Sequence, residues 1–473
     1  MVVCDVLIIG SGPGGSTVAD ELTNNGLKVI MVETGLSLKN ISPYSSEEMD
    51  QGYKFAGLRP FIGRGKPILA EAECVGGGSE VNAGIYFRAP SMILDNWAKV
   101  TQSPQLSSKA LEKYYIEIEE ELLISKNKKG LGDMSNLLIK TASENNIKTE
   151  ELERWIQTNP ESKDWSDFRR TSMSKTLLKK AIKNGLDLRE KTKALKINFD
   201  KKGKVISVIV NDANVGKYAI KSEFTFICAG ATSSAALLSR SGYKRQDRCR
   251  LEIHQMSRLL GKFSSDINQL SAGIPAVQIS QYKPEITIGA SYSSIPLMSL
   301  VCEHSYLETL EKEHNSHHLI YSLISSATRG KVVDIPLLGE TVFYSCTRKD
   351  RILMRNAYMN MIRITWLCGA KNIHISDANN GGIKFEDQIN ALEFVNSRKF
   401  NPDISSIHAF ASCPIGKNNR EGTVDSNGKA FNSDNLFIAD TSVLPSSTCL
   451  NPQGTVMAVS KMIAKNFIKN KVT

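Results

Sequence analysis

Val2-Val3-Cys4-Asp5-Val6-Leu7-Ile8-Ile9-Gly10-Ser11-Gly12-Pro13-Gly14-Gly15 is the stretch whose reading decides the fold. Its first eight residues are mostly apolar with little alternation, as a parallel strand covered on both faces requires. The turn Gly10-x-Gly12-x-x-Gly15 then opens a run with helical spacing, Val18, Ala19 and Leu22, which Asn25-Gly26 stops. Lys28 to Val32 reads as a second apolar strand, and Glu33 ends it. Strand, glycine turn, helix, strand and acid together make a βαβ unit of the dinucleotide-binding kind. Gly10 permits the tight turn and Gly12 lets backbone approach a pyrophosphate, with Gly14 in the same loop. Gly15 lets the helix pack on the strand. The helix N-terminus offers free N–H groups and a positive dipole end to phosphates. Glu33 is placed to accept from ribose hydroxyls, and its charge disfavours a 2′-phosphate. This unit alone leaves a flavin and a nicotinamide dinucleotide both open.

The rest of the chain sets the frame for that unit. With 473 residues it exceeds one ordinary core, so two domains are expected. An apolar share of 41% and a charged share of 23% fit a globular protein. No apolar run reaches the roughly 18 residues a bilayer crossing needs. Val2 to Gly10 carries Asp5 in its middle, so we expect no signal peptide and a cytoplasmic protein. Nine cysteines without a CxxC pair, with Cys228 and Cys368 in apolar runs, favour reduced thiols. His314, His317 and His318 lie in a polar stretch without further ligands at metal spacing; we read a solvated loop and no metal. The net charge of +10 is spread thinly (Lys126, Lys128, Lys129; Lys179, Lys180; Lys201, Lys202) with no interleaved aromatics. That argues against nucleic acid, and leaves an acidic substrate or peripheral attraction to an anionic membrane as the alternatives to a plain solvated surface.

Four later segments, taken with the first, resemble the glucose-methanol-choline (GMC) flavoprotein oxidoreductases. They are Cys74-Val75-Gly76-Gly77-Gly78-Ser79-Glu80-Val81-Asn82-Ala83-Gly84; Thr171 to Val210, a serine, a leucine pair and a β-hairpin; Ile227-Cys228-Ala229-Gly230-Ala231 running into Ala236 to Gly242; and His408 to Asn451 and beyond. The order agrees along nearly the whole chain, with gaps around 35–70 and 120–165. The resemblance implies an α/β protein: a Rossmann-like FAD-binding domain and a second, substrate domain on a mostly antiparallel sheet with helices. The FAD domain is expected to be discontinuous, 1–90, 171–250 and 405–473, with 91–170 and 251–404 forming the substrate domain and lid.

Residues read alone point the same way. Gly76-Gly77-Gly78 permits close backbone approach to a flat ligand. Phe224 to Ala229 is a buried strand running into a helix at Thr232-Ser233. Asn435 to Pro445 is another strand ending in an acid, Asp440, which in the family faces the ribityl-pyrophosphate. Asn451-Pro452-Gln453-Gly454-Thr455 then opens a helix, with Pro452 near its first turn. Its N–H groups would stabilise negative charge on a reduced flavin. The expected cofactor contacts are therefore Gly10, Gly12, Gly14, Gly15, Glu33, Gly77, Gly78, Asn82, Ala229, Gly230, Asp440, Pro452, Gln453 and Thr455.

Hydride transfer from an alcohol needs an electrophilic cofactor atom, a base for the hydroxyl proton and a partner that orients the hydroxyl. His408 sits where the family carries its catalytic histidine, and imidazole suits a base. The second family position is His or Asn; here it is Asn451. An amide cannot be the base, so His408 takes the proton and Asn451 orients. Some relatives attach the flavin through a histidine just before the motif's Asn. That position is Val81 here, which implies non-covalent FAD. Ser412-Cys413-Pro414-Ile415 departs from the family's usual Gly-Thr-Cys-Arg-Met after the histidine.

Helical spacing of Leu111, Tyr114, Tyr115, Ile118 and Leu122 makes 91–170 mostly helical, and Asp350 to Cys368 another helix. The alternating Ala276 to Tyr282 suggests part of the antiparallel sheet over the substrate side. The chain's compactness points to a short lid and a sugar, polyol or other bulky alcohol, with oxygen, a quinone or another carrier taking the electrons. A lyase on the same scaffold, binding FAD without net redox, is the alternative activity.

Overall fold

The computed structural model describes every residue except 1, 44, 65–66, 127–131, 158–168, 244–249, 269–274, 292, 327 and 473. Lys128 and Lys129 lie outside the described residues. The opening strand Val2–Ile9 pairs in parallel with Val29–Val32 on one side and Gly216–Ile227 on the other. Its inner residues Val6, Leu7 and Ile8 are fully buried, which is why the strand shows no alternation. Helix Pro13–Asn24 starts with Pro at its first positions, where a missing N–H costs nothing. Asp187–Arg189 extends the sheet at one edge, and the antiparallel pair Thr192–Phe199 and Val205–Asp212 at the other.

The chain then leaves this sheet and returns near its end. Leu436–Ile438 adds in parallel beside Gly216–Ile227. Helix Gln453–Val472 packs on helix Pro13–Asn24. Phe226 stacks on Phe437 at 4.9 Å, and Phe467 meets Phe226 edge-on at 5.2 Å. Each buried ring contributes about 1.5–3 kcal/mol, so this cluster is a strong clamp between the Gly216–Ile227 strand and the C-terminal segment.

A second, mostly antiparallel sheet is built on the strand Glu252–Lys262, which pairs with His317–Ser325 along its length. Ile286–Ser291, Val277–Ile279 and Thr149–Glu151 continue it outward. On the other side Asn372–Asp377, Ser405–Ser406 and Ala409–Phe410 pair with Glu252–Lys262, and Ile68–Leu69 joins through Ser405–Ser406. Helix Arg348–Leu367 packs on this sheet, its start fixed by a capping box between Thr347 and Asp350.

Helices Ser91–Val100, Ser108–Leu122 and Asp133–Glu144 fill much of 91–170, and Leu111, Tyr114, Tyr115, Ile118 and Leu122 are buried as their spacing predicts. Ala276 to Tyr282 carries the expected antiparallel strand, Val277–Ile279, whose three residues are all buried, with Gln278 Nε2 donating to the Tyr321 hydroxyl at 3.1 Å. One expectation needs correction. His317 and His318 do not sit in a solvated loop. They open the buried strand His317–Ser325 and are 0% and 1% exposed. Among the described residues no group of His, Cys, Asp and Glu could hold a metal ion, and no helix is long and apolar enough to cross a membrane.

Candidate active site

A cavity of about 470 Å³ lies against both sheets, lined by the Gly10–Gly14 loop and Gly77-Gly78 on one side and by Met256, Arg258 and Tyr321 on the other. The glycines do two different jobs. A Cβ on Gly10 would lie 2.4 Å from the Cys228 carbonyl oxygen, and one on Gly15 would lie 2.0 Å from the Gly10 carbonyl oxygen. Those positions are closed by protein backbone, so they set the packing of the turn. A Cβ on Gly78 or Gly230 would meet no atom within 4 Å, and Gly12 faces only Gly77 at 3.9 Å. These three leave an open shelf of bare backbone, the surface a pyrophosphate needs.

Gly14 belongs to the first group: its Cβ would lie 2.1 Å from the Ala439 carbonyl oxygen. Gly14→Ala should therefore push the opening helix off the Leu436–Ile438 strand. We expect a loss of about 1–3 kcal/mol, read as a lowered urea midpoint or insoluble protein. A variant as stable as the wild type would show that this contact relaxes.

Glu33 lines the cavity with its carboxylate engaged. Oε2 accepts from the Ser11 N–H at 2.9 Å and the Ser11 hydroxyl at 2.8 Å, and Oε1 accepts from the Gly35 N–H at 2.9 Å. Burial raises its pKa and these donors oppose the rise. Asp440 is held likewise: Oδ2 accepts from Gly230 N–H at 3.0 Å and Ser234 Oγ–H at 2.6 Å, and Oδ1 accepts from Ser442 N–H at 2.7 Å. It fastens the returning strand to helix Gly230–Arg240, with Ala229 and Gly230 beside it on the cavity wall. Asn82 donates to Gln453 Oε1 at 2.8 Å, which ties the glycine-rich motif to the terminal helix; both residues and Pro452 line the cavity. Thr455 does not: it is fully buried, accepting from the Ala89 N–H at 3.0 Å and bonding the Tyr115 hydroxyl at 2.9 Å. Helical periodicity turns it away from the face that Gln453 and Val456 present. Gly15 is likewise absent from the wall, as its packing role requires.

His408 and Asn451 come together on the same cavity, 43 positions apart in the chain, His408 just before the strand Ala409–Phe410 and Asn451 just before the helix Gln453–Val472. Asn451 Oδ1 is buried without a hydrogen-bond partner among the described residues. A buried amide oxygen left bare is expensive unless a ligand supplies the donor. Burial pulls the His408 imidazole down to about 3, so it stands neutral at physiological pH.

Sequence reading missed the residue that holds it. His254 Nδ1 lies 3.1 Å from His408 Nδ1, with the rings edge to face at 86°, and His254 Nε2 lies 2.5 Å from Ser447 Oγ. His254 is fully buried, and burial and His408 drive its pKa well down. Behind it, the Ser447 N–H donates to Glu252 Oε2 at 2.9 Å, and Glu252 pairs with Arg329 at 3.0 Å. With His408 Nδ1 engaged, its Nε2 is the nitrogen left for the cavity. One hydrogen arrangement leaves that nitrogen bare: His408 Nδ1–H donates to His254 Nδ1, and His254 Nε2–H donates to Ser447 Oγ. A buried charge cluster was also missed. Arg59 pairs with Glu71 and Glu340, and Lys54 donates to Ser233 Oγ at 2.6 Å; Lys54, Glu71 and Ser233 line the cavity. The departure after His408 has a local role, since the Ser412 hydroxyl donates to the Ala231 carbonyl.

Comparison with known proteins agrees along the chain. Sequence models of the GMC oxidoreductase family match residues 5–261 and 344–460. An uncharacterised GMC-type oxidoreductase of Sinorhizobium fredii is 30% identical over 98% of this chain and 94% of its own length. A long-chain-alcohol oxidase of Arabidopsis thaliana is 24% identical over the whole chain and 69% of its own length. Among solved structures, pyridoxine 4-oxidase from Mesorbium loti superimposes with a TM-score of 0.79 at 18% identity, covering 98% of this chain and 99% of that one.

Proposed function

The chain belongs to the GMC oxidoreductase family and is therefore an oxidoreductase, and from that premise we propose that it oxidises an alcohol CH–OH group to the carbonyl with non-covalently bound FAD. The observation that carries this reading is the meeting of His408 and the unpartnered Asn451 Oδ1 on the cavity that the glycine shelf also lines. Gly12, Gly78 and Gly230 leave room for a pyrophosphate, and the N-terminus of helix Pro13–Asn24 adds its dipole. Val81 offers no atom for a covalent link. In this reading 1–90, 171–250 and 405–473 serve FAD and 91–170 and 251–404 serve substrate.

FAD would supply the hydride acceptor. The protein's part is proton and position. The Asn451 side-chain amide donates an N–H to the hydroxyl oxygen and aims it, which leaves the single hydroxyl hydrogen for the base. His408 Nε2 takes the hydroxyl proton, leaving the electron pair on oxygen to expel the hydride. His254 holds the other hydrogen of His408 on Nδ1, so that Nε2 is free to receive. The electrons then pass to oxygen, a quinone or another carrier; relatives named as oxidases favour oxygen. We place the enzyme in the cytoplasm, acting on a sugar, polyol or other bulky alcohol.

The test is anaerobic. Protein purified with added FAD should be yellow, and mixing with sugars, polyols, sterols and aryl alcohols should bleach the flavin band for at least one class. Failure to take up FAD, or a flavin that no alcohol reduces, would overturn the proposal.

A further inference from the structure

The strand Glu252–Lys262 carries a second message beyond His254. Strand alternation places His254, Met256 and Arg258 on one face. His254 meets His408, and Met256 and Arg258 line the cavity. Arg258 lies opposite Tyr321, and much of the wall around it is apolar: Met256, Leu319, Leu323 and Ala290. Its guanidinium makes no hydrogen bond and no ion pair with any described residue. Two of the buried arginines carry counter-charges: Arg59 pairs with Glu71 and Glu340, and Arg170 with Glu48. The groups that bear on Arg258 electrically are the phenols of Tyr358 and Tyr53, not carboxylates, and burial lowers its pKa without neutralising it.

A guanidinium withdrawn from water with no counter-charge is unfavourable unless a ligand completes the pair. Its planar fork fits a carboxylate or phosphate with two parallel hydrogen bonds. In the proposed reading the cofactor's own phosphates would take the glycine shelf, at Gly12, Gly78 and Gly230. Ser294 Oγ, a second polar atom without a partner, lines the same cavity. We propose that the alcohol substrate carries a carboxylate or phosphate group, and that Arg258 binds it while the hydroxyl lies between His408 and Asn451. This rests on the alcohol-oxidation reading and adds the charge of the substrate to it.

The experiment uses the flavin-loaded enzyme, Arg258→Met and Arg258→Lys. Three matched alcohols are compared in anaerobic flavin reduction: a neutral sugar, its sugar acid and its sugar phosphate. The acid or the phosphate should show an apparent Kd at least about tenfold tighter than the neutral sugar, and which of the two wins identifies the anion. Arg258→Met should weaken that alcohol about 30- to 100-fold with the saturated reduction rate nearly unchanged, while Arg258→Lys recovers part of the loss. A readout independent of turnover is melting temperature. Ligand-free Arg258→Met should melt above the wild type, because an uncompensated buried charge has gone, and inorganic phosphate or acetate should raise Tm only when Arg258 is present. Equal affinity for neutral and charged alcohols overturns the proposal, as does an Arg258→Met enzyme whose defect is loss of FAD. If no alcohol reduces the wild-type flavin, the oxidation reading fails, and the melting experiment still decides whether Arg258 is an anion site.

Discussion

His408→Ala should slow flavin reduction by the alcohol on the order of 10²–10⁴-fold while leaving FAD bound. The separation of effects follows from placement. His408 precedes the short strand Ala409–Phe410 on the second sheet, whereas Gly12 and Gly230 of the glycine shelf follow strands of the first. The substitution also strands His254 Nδ1 in a buried site, so a loss of about 1–3 kcal/mol in stability accompanies it and must be measured beside the rate. His254→Phe separates the two. It keeps the base and removes the partner that fixes its hydrogen, so the reduction rate should fall less than in His408→Ala, with substrate affinity unchanged. Anaerobic stopped-flow at saturating alcohol reads both. Reduction of His408→Ala at the wild-type rate would remove His408 from the chemistry.

His374→Leu should make the protein markedly more resistant to acid. His374 is fully buried on the strand Asn372–Asp377, its ring centroid 4.2 Å from that of Tyr306, and neither ring nitrogen has a hydrogen-bond partner among the described residues. Burial, with His317 and Lys384 nearby, lowers its pKa from 6.5 to about 4. A histidine depressed in the folded state favours folding fully above its unfolded pKa. That contribution is lost as pH falls from about 6.5 through about 4, because the unfolded chain takes the proton first. The shift corresponds to roughly 3 kcal/mol, a large part of a typical domain's stability. Leucine carries no proton, so urea unfolding of His374→Leu should lose about 3 kcal/mol less than the wild type between pH 7 and pH 4. Parallel pH slopes for the two proteins would show that His374 does not titrate on unfolding. His318, also lowered to about 4, acts in the same direction in both proteins and cancels from the comparison.

The parts of this molecule legible in its sequence are those where backbone chemistry restricts residue choice. Gly10 and Gly15 are fixed by carbonyl oxygens within 2.4 Å of where a side chain would begin, and such positions leave a mark that spacing alone can read. The spacing of Leu111, Tyr114, Tyr115 and Ile118 marked a buried helix for the same kind of reason. His254 was hidden because its importance comes from register. Only when Ile253 pairs with Ala409 does its ring reach His408, and nothing local in Glu252-Ile253-His254-Gln255 announces that pairing. Arg258 was hidden in the same way, its significance lying in the partners it lacks. The misreading of His317 and His318 came from weighing Lys312, Glu313 and Asn315 before them over Leu319, Ile320 and Tyr321 after them. The apolar run after the pair was the better guide to burial. Thr455, two residues past Gln453, faces the protein interior and not the cavity, since the turn of the helix separates their faces.

The return of Leu436–Ile438 to the side of Gly216–Ile227 sets a timetable for synthesis. The opening half of the first sheet leaves the ribosome early, but the Thr225–Ile227 end of its Gly216–Ile227 strand stays uncovered until residues 436–438 follow. The cover for helix Pro13–Asn24 arrives later still, with the 453–472 helix. At about 5–20 residues per second, that edge waits for roughly tens of seconds. An apolar strand edge held open that long is a template for the wrong partner.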